Sequence, residues 1–165
     1  AKYLIDLGHT KIGFIGGNNI YLSAKERRRW FISALNDNNL EPFIIEEGEF
    51  TIISGYEIMS RWIKEDKIPT AVFASDDKIA LGAINACHTH NIKVPQDISI
   101  CGYDNLMIAA ELNPHLTTVQ QPVEQMGKEA AEIILQLIQG HSLKAKTIKL
   151  PPKLILRDST QPPNR

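Results

Sequence analysis

Four short stretches carry the side chains that could do chemistry. FASDDKIALGA, residues 73–83, places Ser75, Asp76 and Asp77 where an apolar run gives way to an alanine-rich amphipathic one. GYDN, residues 102–105, ends another apolar run on Tyr103, Asp104 and Asn105. Gly16-Gly17-Asn18 closes a third run, and Arg27, Arg28 and Arg29 follow shortly after it. Neighbouring carboxylates admit four readings: a catalytic pair, a metal site, a helix cap, or acceptors for a ligand rich in hydroxyl groups. Aspartate at the start of a helix accepts backbone N–H bonds and suits the helix dipole. Asp77 therefore reads as a cap, and Asp76 as either cap or pocket residue. Asp104 lacks a comparable structural role, because Asn105 would cap equally well, and it reads as functional.

The enzyme readings lack parts. Asp76, Asp77 and Asp104 would need a further acid on the first strand to make a phosphotransfer-type metal cluster, and that strand ends Gly-Gly-Asn. No G-x-S-x-G elbow is present, and no nucleophile, base and orienter belong together. Gly16-Gly17 lacks the G-x-G-x-x-G spacing and the P-loop lysine, so it reads as a tight turn rather than a phosphate cradle. His88 and His90, two apart on a helix, point to different sides and do not suggest a metal site. No cofactor is implied. Cys87 and Cys101, outside any Cys-x-x-Cys pattern, read as reduced buried hydrophobes.

The elements that must position these residues follow from periodicity. Apolar runs at 11–17, 42–50, 69–75, 97–105 and 116–121 alternate with amphipathic segments within 19–40 and at 51–66, 77–91 and 122–140. Ser23 with Glu26 has capping-box spacing, and Trp30, Phe31, Ala34 and Leu35 share one face of the helix that follows. Proline opens the last helix and Gly140 follows its end. KTIKLPPKLILRDS, 146–159, reads as two short strands split by Pro151-Pro152, and the final QPPNR as frayed. Near-continuous apolar strands alternating with helices predict an α/β fold: a Rossmann-like parallel sheet flanked by helices. Ligands of such sheets bind beyond the carboxyl ends of the strands. That rim collects carboxylates, amides, hydroxyls, aromatics and arginine, a mixture suited to a neutral polyhydroxylated ligand.

Composition agrees with one domain of ordinary globular type: 165 residues, 43% hydrophobic, 22% charged and a formal net charge of -1. Such a balance is a poor match for nucleic acid, and no stretch is long enough to span a bilayer. The opening AKYLIDLGHTK reads as the last turns of a helix, which suggests a fragment of a longer chain.

Together, YLIDLGHTKIGFIGG, SAKERRRWFISAL, EGEFTIISGYEIM, PTAVFASDDKIALGAINA, VPQDISICGYDN, LTTVQQPVEQMGKEAAEIIL and LPPKLILRDST resemble the lactose-repressor (LacI/GalR) family in order and spacing, across essentially the whole chain. The resemblance implies the C-terminal part of an effector-binding core like the periplasmic sugar-binding proteins. Residues 1–121 would form the C-terminal lobe, 122–150 a crossover helix and strand of the largely absent N-terminal lobe, and 151–165 a return strand and tail. It implies effector contacts from Arg27, Asp104, Phe50 (a stacking residue), Ser75 and Gln121. Ser75 stands where many relatives have asparagine, and Asn105 where many have aspartate. Arg28 and Arg29 read as solvated.

The resemblance further implies a cytoplasmic homodimer, pairing through helices at 54–64 and 78–89, with no enzymatic activity. Its partners would be a small-molecule effector, of sugar type, and DNA through an upstream helix-turn-helix domain. The alternatives are a sensor of a purine, a sugar phosphate or a partner protein, or a periplasmic sugar receptor. Without its lobe, the helix at 123–139 would expose Ile133, Ile134, Leu137 and Ile138 and is expected to repack on its own lobe or on a second chain.

Overall fold

The computed structural model describes residues 1–140 and 147–164. The strands are β1 (Ile12–Gly16), β2 (Ile44–Glu47), β3 (Ala71–Ala74), β4 (Ser99–Tyr103), β5 (Thr117–Gln120) and β6 (Lys153–Ile155). The helices are α1 (Lys2–Asp6), α2 (Leu22–Asn36), α3 (Ile52–Lys64), α4 (Asp77–Thr89) and α5 (Val123–Ile138), with a 3-10 turn at Met107–Ala110. The sheet order is β2-β1-β3-β4-β5-β6. All neighbours run parallel except β5 and β6, where Thr118 pairs with Ile155 and Gln120 with Lys153 in antiparallel register. This is the predicted α/β architecture, and its apolar strands are apolar because both faces are covered. One face carries Ile15, Ile58, Met59, Trp62, Ile79 and Ile100 under α3 and α4. The other carries Leu4, Phe14, Phe31, Leu35 and Phe73 under α1 and α2.

Local expectations fail in three places, each for a physical reason. Ser23 does not cap α2: the helix starts at Leu22 after Tyr21, whose side chain makes no cap bond. Glu26 is instead engaged by Arg29 and by the Trp30 indole N–H, which stays on the solvent side. The segment 147–150 is not a strand, since only β6 after Pro151-Pro152 finds a free sheet edge at β5; residues 141–146 lie outside the described residues.

The tail is not frayed through residue 164, because it carries hydroxyls and carbonyls that the strand ends need. Ser159 Oγ donates to the Ile100 carbonyl (2.6 Å) and accepts from Thr117 N (2.8 Å). His9 donates from Nε2 to the Gln161 carbonyl (2.9 Å). Of the two alternatives for α5, packing on its own lobe is not adopted in this single chain: none of its residues is buried, and Ile134, Leu137 and Ile138 face solvent.

Cys87 and Cys101 are free and buried, as expected, and burial pushes both thiols up to about 12. Among the described residues, no helix is long and apolar enough to cross a membrane.

Candidate functional site

The order of the sheet reverses beside β1, whose chain leaves toward β2 and returns at β3 on its other side. That switch point is where open α/β sheets take ligands. The loops after β1, β2, β3, β4 and β5 bring Gly17, Phe50, Ser75, Asp104 and Gln121 to one rim, and Arg27 reaches them from the second turn of α2.

Arg27 is the hub. Nη1 donates to the Ser75 carbonyl (2.5 Å) and Nη2 to Asp104 Oδ1 (3.0 Å). Its guanidinium lies over the Tyr103 ring, Cζ 4.0 Å from the centroid, a cation–π stack that holds the fork in place. Tyr103 in turn packs on Phe73, the end of an aromatic row with Phe31 and Phe14. Gln121 Nε2 donates to the same Asp104 oxygen (2.6 Å). Among the described residues Oδ2 takes no hydrogen bond, which leaves it as a free acceptor. Four of the five expected contact residues (Arg27, Ser75, Asp104 and Gln121) are thus joined in one network.

Phe50 is not part of it. Its ring lies against Gly17, where an added Cβ would sit 2.3 Å from a ring carbon. Gly17 is therefore more than a turn residue: it is the seat of Phe50, and its φ is not left-handed. Ser75 is fully buried and among the described residues its Oγ has no partner; it presents its carbonyl, not its hydroxyl, to Arg27.

Of the two readings left open for Asp76 the structure takes the cap, and the cap expected of Asp77 is not formed. Asp76, not Asp77, caps α4: it has extended backbone and accepts from Ile79 N (2.7 Å). Burial raises its pKa, the cap bond opposes this, and the nearby charges of Asp104 and Arg27 act in opposite directions. Asp77, 0% exposed, accepts from Thr118 Oγ1 on Oδ1 (2.5 Å) and from Leu106 N on Oδ2 (2.7 Å). It ties the start of α4 to β5 and to the chain after Asp104. Burial pushes its carboxyl up to about 6, against the pull of those two bonds.

That tie matters because Asp104 and Asn105 are both left-handed, with φ of 105° and 52°. Such backbone is costly for residues with a Cβ and persists where surroundings over-determine it. Asp104 N donates to the Val119 carbonyl (2.8 Å), and Asn105 Oδ1 accepts from Arg157 Nη2 (2.7 Å). Arg157 and Asp77 are thus positioning residues that the sequence did not single out as such. Asn105 is engaged by Arg157 rather than free.

The network borders two open clefts. One, about 420 Å³, is lined by Glu26, Arg27, Trp30, Tyr103, Gln121 and Pro152. The other, about 560 Å³, lies over Asp104, Asn105 and Gln121 and against the first turns of α5. Among the described residues, no group of three or more His, Cys, Asp or Glu could hold a metal ion. Arg28 and Arg29 are exposed, paired with Glu47 (3.3 Å) and Glu26 (2.7 Å).

A mostly parallel sheet of this order, with one antiparallel edge, has known counterparts. The family model for the periplasmic binding protein-like domain matches residues 1–160. The chain belongs to this family. Within it, the likeness is to the effector-binding cores of LacI/GalR-type regulators. The HTH-type transcriptional repressor PurR of Pasteurella multocida (strain Pm70) is 40% identical over 98% of this chain and 49% of its own length. The PurR of Mannheimia succiniciproducens is 37% identical over the same shares. The periplasmic binding protein-like fold also superposes on the dimeric Lac repressor with an 11-residue C-terminal deletion (TM-score 0.94, 32% identity, 99% of this chain and 60% of that one). The LacI family transcriptional regulator from Enterococcus faecium with bound ribose gives a TM-score of 0.89 at 30% identity, over 99% of this chain and 61% of that one. The chain spans about half the length of the curated relatives it matches. Those relatives are transcriptional repressors, not enzymes.

Proposed function

We propose that this chain is the ligand-sensing part of a LacI/GalR-type transcriptional regulator, that it binds a sugar or sugar derivative at the rim, and that it controls DNA binding by a helix-turn-helix domain elsewhere in the same cytoplasmic protein. Residues 1–121 serve as the C-terminal lobe, 122–150 as the crossover into the other lobe, and 151–165 as the return strand and tail. The observation that carries this reading is the half-used Asp104. Its Oδ1 is held by Arg27 and Gln121 while Oδ2 stays free, the arrangement that fixes a carboxylate to accept from a ligand hydroxyl. Arg27 and Asp104 bind the ligand, Phe50 stacks on it, Ser75 anchors Arg27, and Gln121 links the site to the crossover.

The mechanism is a population shift. Gln121 stands at the exit of β5 toward α5, so a ligand that engages Asp104 or Gln121 alters the pose of the segment joining the lobes. It shifts the lobe equilibrium only as far as it binds one arrangement better than the other. The apolar stripe of α5, Ile134, Leu135 and Ile138, takes its cover from the second lobe. The protein acts as a homodimer, as the name of the dimeric Lac repressor suggests for this family. A purine is the second reading, favoured by the repressors named PurR at 37–40% identity and by a planar ring's fit to Phe50.

A thermal-shift screen of the full-length protein against mono- and oligosaccharides, sugar phosphates and purines tests both. A ligand at a hundred times its dissociation constant adds about 2.7 kcal/mol of stability. A sugar shift lost in Arg27→Ala and Asp104→Ala supports the first reading. A shift with purines alone replaces it with the second, and silence throughout removes both.

A further inference from the structure

The chain leaves the sheet and returns to it at neighbouring points. β5 ends at Gln120 and departs through Gln121 into α5; β6 comes back antiparallel beside β5, with Lys153 opposite Gln120. Asp104 and Asn105 follow β4, the other neighbour of β5. Each of these two residues is held from a different passage. Gln121 Nε2, on the way out, donates to Asp104 Oδ1 (2.6 Å). Arg157 Nη2, on the way back, donates to Asn105 Oδ1 (2.7 Å).

Arg157 is itself fastened. Its backbone N donates to Thr117 Oγ1 (3.0 Å) and its Nη1 to the Leu116 carbonyl (2.7 Å), which anchor it at the start of β5. A charged donor on a neutral amide oxygen makes a stronger tie than two neutral groups would. The backbone of the pair is held less firmly. Asn105 N reaches Thr118 Oγ1 at 3.4 Å, and that hydroxyl spends its own proton on Asp77 Oδ1 (2.5 Å). Both Asp104 and Asn105 have positive φ, 105° and 52°, which residues with a Cβ keep only where the surroundings impose it. Releasing either side chain lets the strained pair relax. Because the two residues share one planar peptide unit, that relaxation displaces both.

We infer that the Asp104–Asn105 pair couples the outgoing and returning passages, and that Arg157 is the positioning residue that holds Asp104 in its binding pose from the returning one. The inference rests on the reading above, in which Asp104 takes the ligand and residues 122–150 cross to a second lobe. A ligand on Asp104 then bears on the outgoing passage through Gln121 and on the returning passage through Asn105 and Arg157. With a tie to one passage alone, the other could turn at no cost to the bound ligand.

Hydrogen–deuterium exchange of the full-length protein without ligand tests the coupling. Arg157→Met and Asn105→Gly break the same tie from opposite sides, and glycine keeps a positive φ without strain. Each variant raises exchange roughly threefold to tenfold at residues 105–106 and also at 121–126, where Arg157 has no hydrogen-bond partner. The double variant goes no further than the larger single effect, because both act through one tie. Arg157→Lys, which keeps a charged donor, restores part of the protection. Melting curves establish that the variants are folded, and Asn105→Gly, which leaves the Leu116 bond intact, carries the test if Arg157→Met does not fold. Faster exchange confined to 105–106 and 115–117, or single effects that multiply in the double variant, overturns the coupling and leaves Arg157 a local brace. A second arm adds D-glucose, D-galactose or D-ribose. A sugar that binds slows exchange at 121–126 and 153–157 in the wild type, but at 121–126 alone in Arg157→Met; equal slowing at 153–157 in both overturns the role of Arg157. Absence of any sugar effect counts against the sugar reading, whereas the ligand-free arm by itself decides the coupling.

Discussion

The two ends of the sheet use polar groups in opposite ways. At the carboxyl ends, Arg27, Asp104 and Gln121 are partly exposed and charged or strongly polar, and one carboxylate oxygen is left over. At the amino ends, the tail closes the strands with neutral groups. Ser99 Oγ and His9 Nε2 both donate to the Gln161 carbonyl, Ile100 N to the Ser159 carbonyl, and Tyr3 OH pairs with Thr160 (3.0 Å). Buried hydroxyl–backbone bonds of the second kind hold a fold together because leaving any one unmade is costly. An incompletely paired charge of the first kind adds little to the fold and is available to a ligand. The difference separates where this domain is held from where it can respond.

The comparison can be broken by substitution. The largest expected effect is Asp104→Ala, which removes a charged acceptor: ligand affinity falls on the order of a hundredfold in titration, while the unliganded melting temperature moves little. Ser159→Ala should show the reverse. It strands Thr117 N and the Ile100 carbonyl in a buried site and costs about 1–3 kcal/mol in denaturant unfolding, with ligand affinity retained in the folded fraction. If both substitutions moved both quantities, the two ends would not be separate in function.

Smaller effects come from pH, and the ends differ in sign. The native Asp77 carboxyl is raised from the ordinary 3.8 to about 6, mainly by burial. Its contribution is complete below about pH 4 and is lost as pH rises through about 6. Asp77→Asn should therefore gain stability relative to wild type as pH rises from 4 to 6, measured as the difference between paired urea melts. His9 is lowered below its ordinary 6.5, chiefly by burial and against the pull of the Gln161 carbonyl. Its contribution is present above pH 6.5 and lost as pH falls below it. Acidification should speed amide exchange around Ser159–Gln161 before it affects β1 or β3, and faster exchange at alkaline pH beyond the intrinsic rate would contradict the assignment.

Much of this was legible without coordinates. Strand and helix alternation rests on local hydrophobic period, and the rim residues are simply those that follow each strand, so both were within reach of the chain itself. The roles of Asp76 and Asp77 were not. The two are adjacent, chemically identical and both suited to a helix start, and only the direction of each side chain decides which caps α4 and which crosses to Thr118. Ser75 read as a pocket hydroxyl because hydroxyls bind ligands, yet the register of β3 turns it inward and leaves its carbonyl to Arg27. Arg157 became visible only once β6 lay against β5.

By itself, then, the sequence determined the α/β class, the membership of the rim and an amphipathic α5 that needs a partner, because each depends on residues near one another in the chain. Tertiary structure decided that Arg27, Asp104 and Gln121 share one oxygen, that Phe50 sits on Gly17, and that the tail clasps the amino ends. Those contacts join residues 17 to 152 positions apart, and their existence depends on strand order, which no local pattern encodes.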